Sequence, residues 1–136
     1  MTDNSITKTN KRSVGRFGEE AALAFITGRG YNVLYKNFRF GRYGEIDIIA
    51  KKSGVICFIE VKTRSSAAFG TPAESVSRGK RRNIIAVANH FLRIFDFDGH
   101  KLRFDIIEVY YEKAGAPDVS RKINEIRHIE NAFGAE

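Results

Sequence analysis

A single cysteine, Cys57, stands in 136 residues, so no intrachain disulfide can form. It falls among apolar residues of a predicted strand, the setting of a buried structural thiol rather than a nucleophile, and a reducing cytoplasm fits. Long hydrophobic runs are also missing. The longest, such as residues 21–26, reach five or six residues, against the ~20 needed to cross a bilayer, and no membrane partner is expected. His90, His100 and His128 are scattered without ligand spacing, which disfavours a zinc site. There is no Ser-His-Asp or Cys-His arrangement, no Walker-type loop, no internal repeat and no linker. Acidic charge is scarce: 16 Asp plus Glu face 23 Lys plus Arg, a formal charge of +7. That balance favours a polyanionic partner such as nucleic acid over a neutral small molecule.

The remaining composition, 43% hydrophobic, supports one globular domain with a real core. Residues 1–13 are polar and rich in Thr, Asn and Lys, so they read as a disordered arm rather than a signal peptide, ahead of a domain over 14–133 and a tail at 134–136. From Val14 to Thr27 the spacing of Val14, Phe17, Ala21, Ala24 and Phe25 predicts a helix, with Gly28 and Gly30 to stop it. Tyr31 to Phe40 alternates as a strand, and two more strands follow. Arg64 to Glu74, containing Gly70 and Pro72, reads as a loop. Ser75 to Phe95 carries a second helical pattern, Asp98-Gly99 a turn, and Lys101 to Tyr111 a strand. After Gly115-Ala116-Pro117-Asp118, residues Lys122 to Phe133 suit either an edge strand or a helical turn.

The stretch richest in chemistry is Gly44-Glu45-Ile46-Asp47-Ile48-Ile49-Ala50, a spacer Lys51-Lys52-Ser53-Gly54, then Val55-Ile56-Cys57-Phe58-Ile59-Glu60-Val61-Lys62. Both runs favour strands and the spacer favours a turn, so a hairpin is expected. With Ser53-Gly54 as the loop, Lys52 pairs with Val55, Asp47 with Glu60 and Glu45 with Lys62. Alternation puts Glu45, Asp47, Glu60 and Lys62 on one face, and Ile46, Ile48, Ile59 and Val61 on the other. Two carboxylates about 4 Å apart repel by about 1 kcal/mol in water and about 4 at an effective dielectric near 20. An exposed ion pair returns only roughly 0–1 kcal/mol. A divalent cation offsets the repulsion, since Mg²⁺ takes one or two carboxylates and accepts phosphate oxygens besides. The competing reading is a solvated face of alternating, paired charges.

Glu19 and Glu20 lie early on the first helix, where its dipole favours carboxylates, and either could instead lean over the sheet toward Asp47 and Glu60. Arg78, Lys80, Arg81 and Arg82 crowd the start of the second helix, where positive charge opposes the dipole, so the group wants an anion such as a phosphate. Arg64 and Lys51-Lys52 would extend that patch. Gly15-x-x-Gly18 and Gly41-x-x-Gly44 suggest tight turns or close approach to a phosphate. Most aromatics fall on core positions; Phe38, Phe40, Tyr43 and Phe69 lie near the proposed cleft.

Gly15-x-x-Gly18-Glu19, Gly30-Tyr31, Asn37-Phe38-Arg39, Gly44-Glu45-Ile46-Asp47, Phe58-x-Glu60-Val61-Lys62-Thr63-Arg64, Phe69-Gly70 and Lys80 resemble the YraN-like family of small bacterial proteins. Asp47 followed by Glu60-x-Lys62 also resembles the PD-(D/E)xK nuclease superfamily, in particular archaeal Holliday junction resolvases. The resemblance implies a restriction-endonuclease-like α/β fold with an αβββαβ core, a mixed central sheet flanked by helices. It further implies Glu19 as the helix carboxylate, Asp47, Glu60 and the Val61 carbonyl as ligands of Mg²⁺ or Mn²⁺, and Lys62 as the catalytic lysine. The expected activity is metal-dependent hydrolysis of phosphodiester bonds in DNA, ahead of RNA, with branched or junction DNA a candidate substrate and Arg64, Arg78, Lys80, Arg81 and Arg82 as nucleic-acid contacts. By analogy with resolvases, a homodimer would supply two active sites on opposed strands. The alternative is a nuclease-like fold that grips nucleic acid or a protein without cutting.

Overall fold

The computed structural model describes residues 3–66, 76–113 and 121–134. The chain begins with a helix, α1 (Asp3–Gly28), eleven residues earlier than the Val14 start expected, so the arm expected to be disordered is helical from Asp3. Residues 3–13 contain no Gly or Pro to stop a helix, and once a nucleus exists each added residue gains a hydrogen bond for one pair of dihedrals. The helix ends as its glycines predict. Gly30 takes a left-handed φ of +88, the Gly30 N–H donates to the Thr27 carbonyl at 3.1 Å, and the Tyr31 N–H donates to that of Ile26 at 3.0 Å, the paired bonds that close a helix on a left-handed glycine.

Three strands follow, β1 (Asn32–Arg39), β2 (Glu45–Lys52) and β3 (Val55–Ser65), then α2 (Arg78–Ile94), β4 (Lys101–Lys113) and β5 (Arg121–Phe133). They form one sheet in the order β1-β2-β3-β4-β5, antiparallel except for the parallel pair β3 and β4, which α2 connects. The expected αβββαβ core is therefore present. β5 extends it: the tail, open between strand and helical turn, is a strand paired along β4. β3 runs through Arg64 and Ser65, where a loop was expected. Residues 67–74 of that loop, with Phe69, Gly70 and Pro72, and the turn at 115–118 lie outside the described residues. α2 starts at Arg78, because Ser77 caps it with a side-chain oxygen that accepts from the Lys80 N–H at 3.2 Å.

Alternation along β3 divides the core. Ile56 and Phe58 join Ile84, Val87, Ala88 and Phe91 of α2, whereas Cys57 and Ile59 join Ala22 and Ile26 of α1. The helices thus cover opposite faces of the sheet. The hairpin has the expected register from Lys52↔Val55 to Ile48↔Ile59, closed by Ser53 (φ 50) and Gly54 (φ 78), both left-handed as a two-residue hairpin turn requires. Beyond Ile48↔Ile59 the ladder stops. Ile46, expected beside Ile48, Ile59 and Val61, instead packs with Ile49 and Phe58 on the α2 side. The strand rolls at Asp47, and strict alternation fails there.

Candidate active site

The end of the hairpin ladder makes the site. The Val61 N–H, free of a β2 carbonyl, donates to Asp47 Oδ2 at 2.8 Å. A side chain therefore takes the rung that backbone pairing of Ile46 with Val61 would have filled, and the strands splay into a cleft of about 670 Å³. Its walls include Glu19 from α1, Glu45 and Asp47 from β2, Glu60, Val61 and Lys62 from β3, and Lys80 and Asn83 from α2. The four acidic and basic positions expected on one face of the hairpin do converge there, and so does Glu19. Glu20 is exposed and does not line the cleft.

Glu19 reaches the sheet because α1 lies close against β3. A Cβ built on Gly18 would fall 1.7 Å from Thr63 Oγ1, so only glycine permits this approach. Gly15 and Gly18 are helical residues rather than a turn, which corrects that part of the expectation. Gly41 and Gly44 do bracket a tight turn, a 3-10 segment at Gly41–Tyr43. Glu19 is then fixed from the sheet: the Asn37 side-chain amide donates to Glu19 Oε1 at 3.1 Å and to Glu45 Oε1 at 3.3 Å. Asn37 holds a left-handed φ of 51, a conformation asparagine adopts more readily than most residues. Arg39 approaches the other Glu45 oxygen at 3.7 Å.

Burial raises both central acids, and at Asp47 the neighbouring acidic charges add to it. Desolvation, then the neighbouring Glu60 charge, push Asp47 up to about 7, against the Val61 hydrogen bond that lowers it; Glu19 and Glu45 add to the rise. Glu60 is also raised, by desolvation, while Lys80 and Lys62 pull the other way. Lys80 Nζ stands 3.6 Å from Glu60 Oε1, and Glu60 Oε2 is buried without a hydrogen-bond partner. Such a site stabilises added positive charge. Its donors are oxygens, the set a hard divalent cation prefers. Among the described residues no group of three His, Cys, Asp or Glu is placed to hold a metal ion.

The basic residues divide. Lys80 enters the acidic cleft, while Arg78, Arg81 and Arg82 line a separate opening of about 360 Å³ with Ile85 and Gly134. The Arg81 Nε–H donates to the Val76 carbonyl at 2.8 Å. Arg64 is mostly covered, its Nε 3.9 Å from the buried Glu108 carboxylate. Lys52 turns away and donates to the Arg29 carbonyl at 2.7 Å. Asn83 escaped the sequence reading, although its spacing of three from Lys80 puts both on one helix face.

An αβββαβ core whose mixed sheet carries helices on both faces, with an acidic pair and a lysine where two strands part, is compatible with a restriction-endonuclease-like core, the class of the restriction-endonuclease-like superfamily. The profile described as "Uncharacterised protein family UPF0102" matches residues 18–109. The chain belongs to this family, the YraN-like family of that superfamily. It is 45% identical over 126 residues to the UPF0102 protein of Acetivibrio thermocellus, covering 93% of this chain and 95% of that one. It is 43% identical over 124 residues to the UPF0102 protein of Clostridioides difficile, covering 91% and 99%. No helix among the described residues is long and apolar enough to cross a membrane.

Proposed function

We propose that this protein is a metal-dependent endonuclease that hydrolyses phosphodiester bonds of nucleic acid, DNA ahead of RNA. The observation that carries the reading is half-buried Asp47 beside buried Glu60, both raised by desolvation, with Lys62 and Glu19 in the same open cleft. Asp47, Glu60 and the Val61 carbonyl would hold Mg²⁺ or Mn²⁺, and Glu60 Oε2, buried with no hydrogen-bond partner, would supply one of the oxygens. When bound, such an ion supplies positive charge for the phosphoryl oxygens and the leaving alkoxide. The Lys62 ammonium serves as an electrostatic clamp that holds the attacking water and the developing negative charge. Glu19, tethered by Asn37, orients water in the cleft. Lys80 exchanges Glu60 for a phosphate of the strand, and Arg78, Arg81 and Arg82 grip the flanking backbone. Branched DNA remains the candidate substrate, with a homodimer to present two such clefts.

The test is cleavage of single-stranded, duplex, flap and four-way substrates in Mn²⁺ or Mg²⁺. Asp47→Ala is expected to lose both cleavage and metal uptake by calorimetry. Lys62→Ala is expected to lose cleavage by about 10²-fold or more while still binding DNA. Cleavage by Lys62→Ala at the wild-type rate sinks the lysine's role. A protein that binds nucleic acid but takes up neither ion is the non-cutting module instead.

A further inference from the structure

The cleft is lined by one aromatic residue, Tyr43, that the hydrolytic reading leaves unused. The His90 and Phe40 rings stack with centroids 3.9 Å apart at 9°, and Phe40 stacks with Tyr43 at 5.4 Å and 27°. Three near-parallel rings thus run from α2 through the end of β1 to the 3-10 turn. Tyr43, the last of them, is half-buried and lines the same cleft as Asp47 and Glu60. The left-handed glycines Gly41 (φ 49) and Gly44 (φ 94) set the turn that carries it. The exposed Arg42 guanidinium lies over this ring, 5.4 Å from its centre, where an incoming base would displace it, and Arg39, with its side chain 64% exposed, lines the same cleft.

We propose that Tyr43 is a base-stacking subsite, which takes an unpaired nucleotide next to the phosphate held at Asp47 and Glu60, with Arg42 and Arg39 on the adjoining phosphates. The inference rests on the nucleic-acid reading above and names its substrate class. A tyrosine face accepts any base, so the subsite is tolerant of sequence. A base inside a duplex already has both faces covered by its neighbours, and only an unpaired or displaced one offers a face to the ring. The cleft would therefore select strands with a gap, flap or branch at the scissile position.

Oligonucleotides carrying 2-aminopurine next to the bound phosphate, in unpaired and fully paired forms, test this by titration in Ca²⁺ with wild type, Tyr43→Phe and Tyr43→Leu. Leucine keeps apolar packing against Phe40 without a stacking face, and a thermal melt checks that the variant folds. Wild type and Tyr43→Phe should quench the probe and bind the unpaired form about tenfold tighter than the duplex. Tyr43→Leu should lose quenching and preference yet keep duplex affinity. Equal quenching and preference in Tyr43→Leu, or no preference in wild type, overturns the stacking subsite alone. A wild type that binds none of the oligonucleotides ends the nucleic-acid reading and this inference together.

Discussion

Asp47 carries the consequence of crowding acids in a desolvated cleft, and its sign can be worked out. Its folded value lies near 7, above the ordinary value of 3.8, so the folded protein binds more protons than the unfolded chain between those limits. Stability of the metal-free protein should therefore fall as pH rises from about 4 to 7 and stay low above. Asp47→Asn keeps an oxygen for the Val61 N–H and removes the charge. The variant should exceed wild type by roughly 2–4 kcal/mol at pH 8 and lose that advantage near pH 4, as urea unfolding in EDTA would read. Added Mg²⁺ should raise the wild-type Tm at pH 8 and leave the variant's unchanged. A variant no more stable than wild type at pH 8 would count against the buried, repelling pair.

Among the elements, α1 shows how packing reverses an intrinsic preference. Glycine inside a helix is ordinarily about 1 kcal/mol worse than alanine. At Gly15 nothing lies within 4 Å of an added Cβ, and Gly15→Ala should stabilise the protein by roughly 0.5–1 kcal/mol. At Gly18 the same methyl would strike Thr63 Oγ1 and Cβ, forcing the helix off β3, so Gly18→Ala should destabilise by roughly 1–3 kcal/mol. It should also impair cleavage, because Glu19 moves with the helix. Opposite signs in chemical denaturation of the two variants are the check; matching signs would refute the close approach. Helices and hairpin were legible because periodicity and turn chemistry are local. The extension of α1 to Asp3 was not, since polar residues without Gly or Pro carry no signal for where a helix must begin. Neither was the strand character of the tail, whose Ile123, Ile126 and Ile129 spacing suits both periods.

At the scale of the molecule, the buried carboxylate of Asp105 ties β4 to β5 and, through Arg103, to Tyr31 between α1 and β1. It accepts from the Arg103 guanidinium at 2.9 Å, meets His128 Nε2 at 2.8 Å and accepts from the Asn131 N–H at 2.9 Å, and Arg103 reaches the Tyr31 hydroxyl at 2.7 Å. Burial opposes its ionisation, but the hydrogen bonds from His128, Arg103 and Asn131 outweigh that and hold it below the usual carboxylate range. Its contribution is then full above about pH 4 and is lost as pH falls through the lowered value. Asp105→Ala leaves Arg103 without its buried partner and should cost roughly 3–5 kcal/mol at neutral pH, with the gap to wild type narrowing under acid. A urea series from pH 7 to 2.5 reads both; a gap independent of pH would exclude an ionised Asp105.

The residues alone determined the chemistry on offer: a basic chain with one thiol, two carboxylates and a lysine at hairpin spacing, and a glutamate on a helix before them. Local rules fixed the hairpin turn and its register from Lys52↔Val55 to Ile48↔Ile59, which brings Asp47, Glu60 and Lys62 to the open end of the hairpin. Tertiary structure decided what those rules cannot reach. It chose Glu19 over Glu20, since residues 21–26 of α1 are apolar all round and only its seat on Thr63 sets the rotation. It broke the alternation at Asp47, where a carboxylate replaced a carbonyl as acceptor for Val61. It sent Lys80 into the cleft and Arg64 toward Glu108, and it set Asn83 beside the acids, because those contacts join elements far apart along the chain.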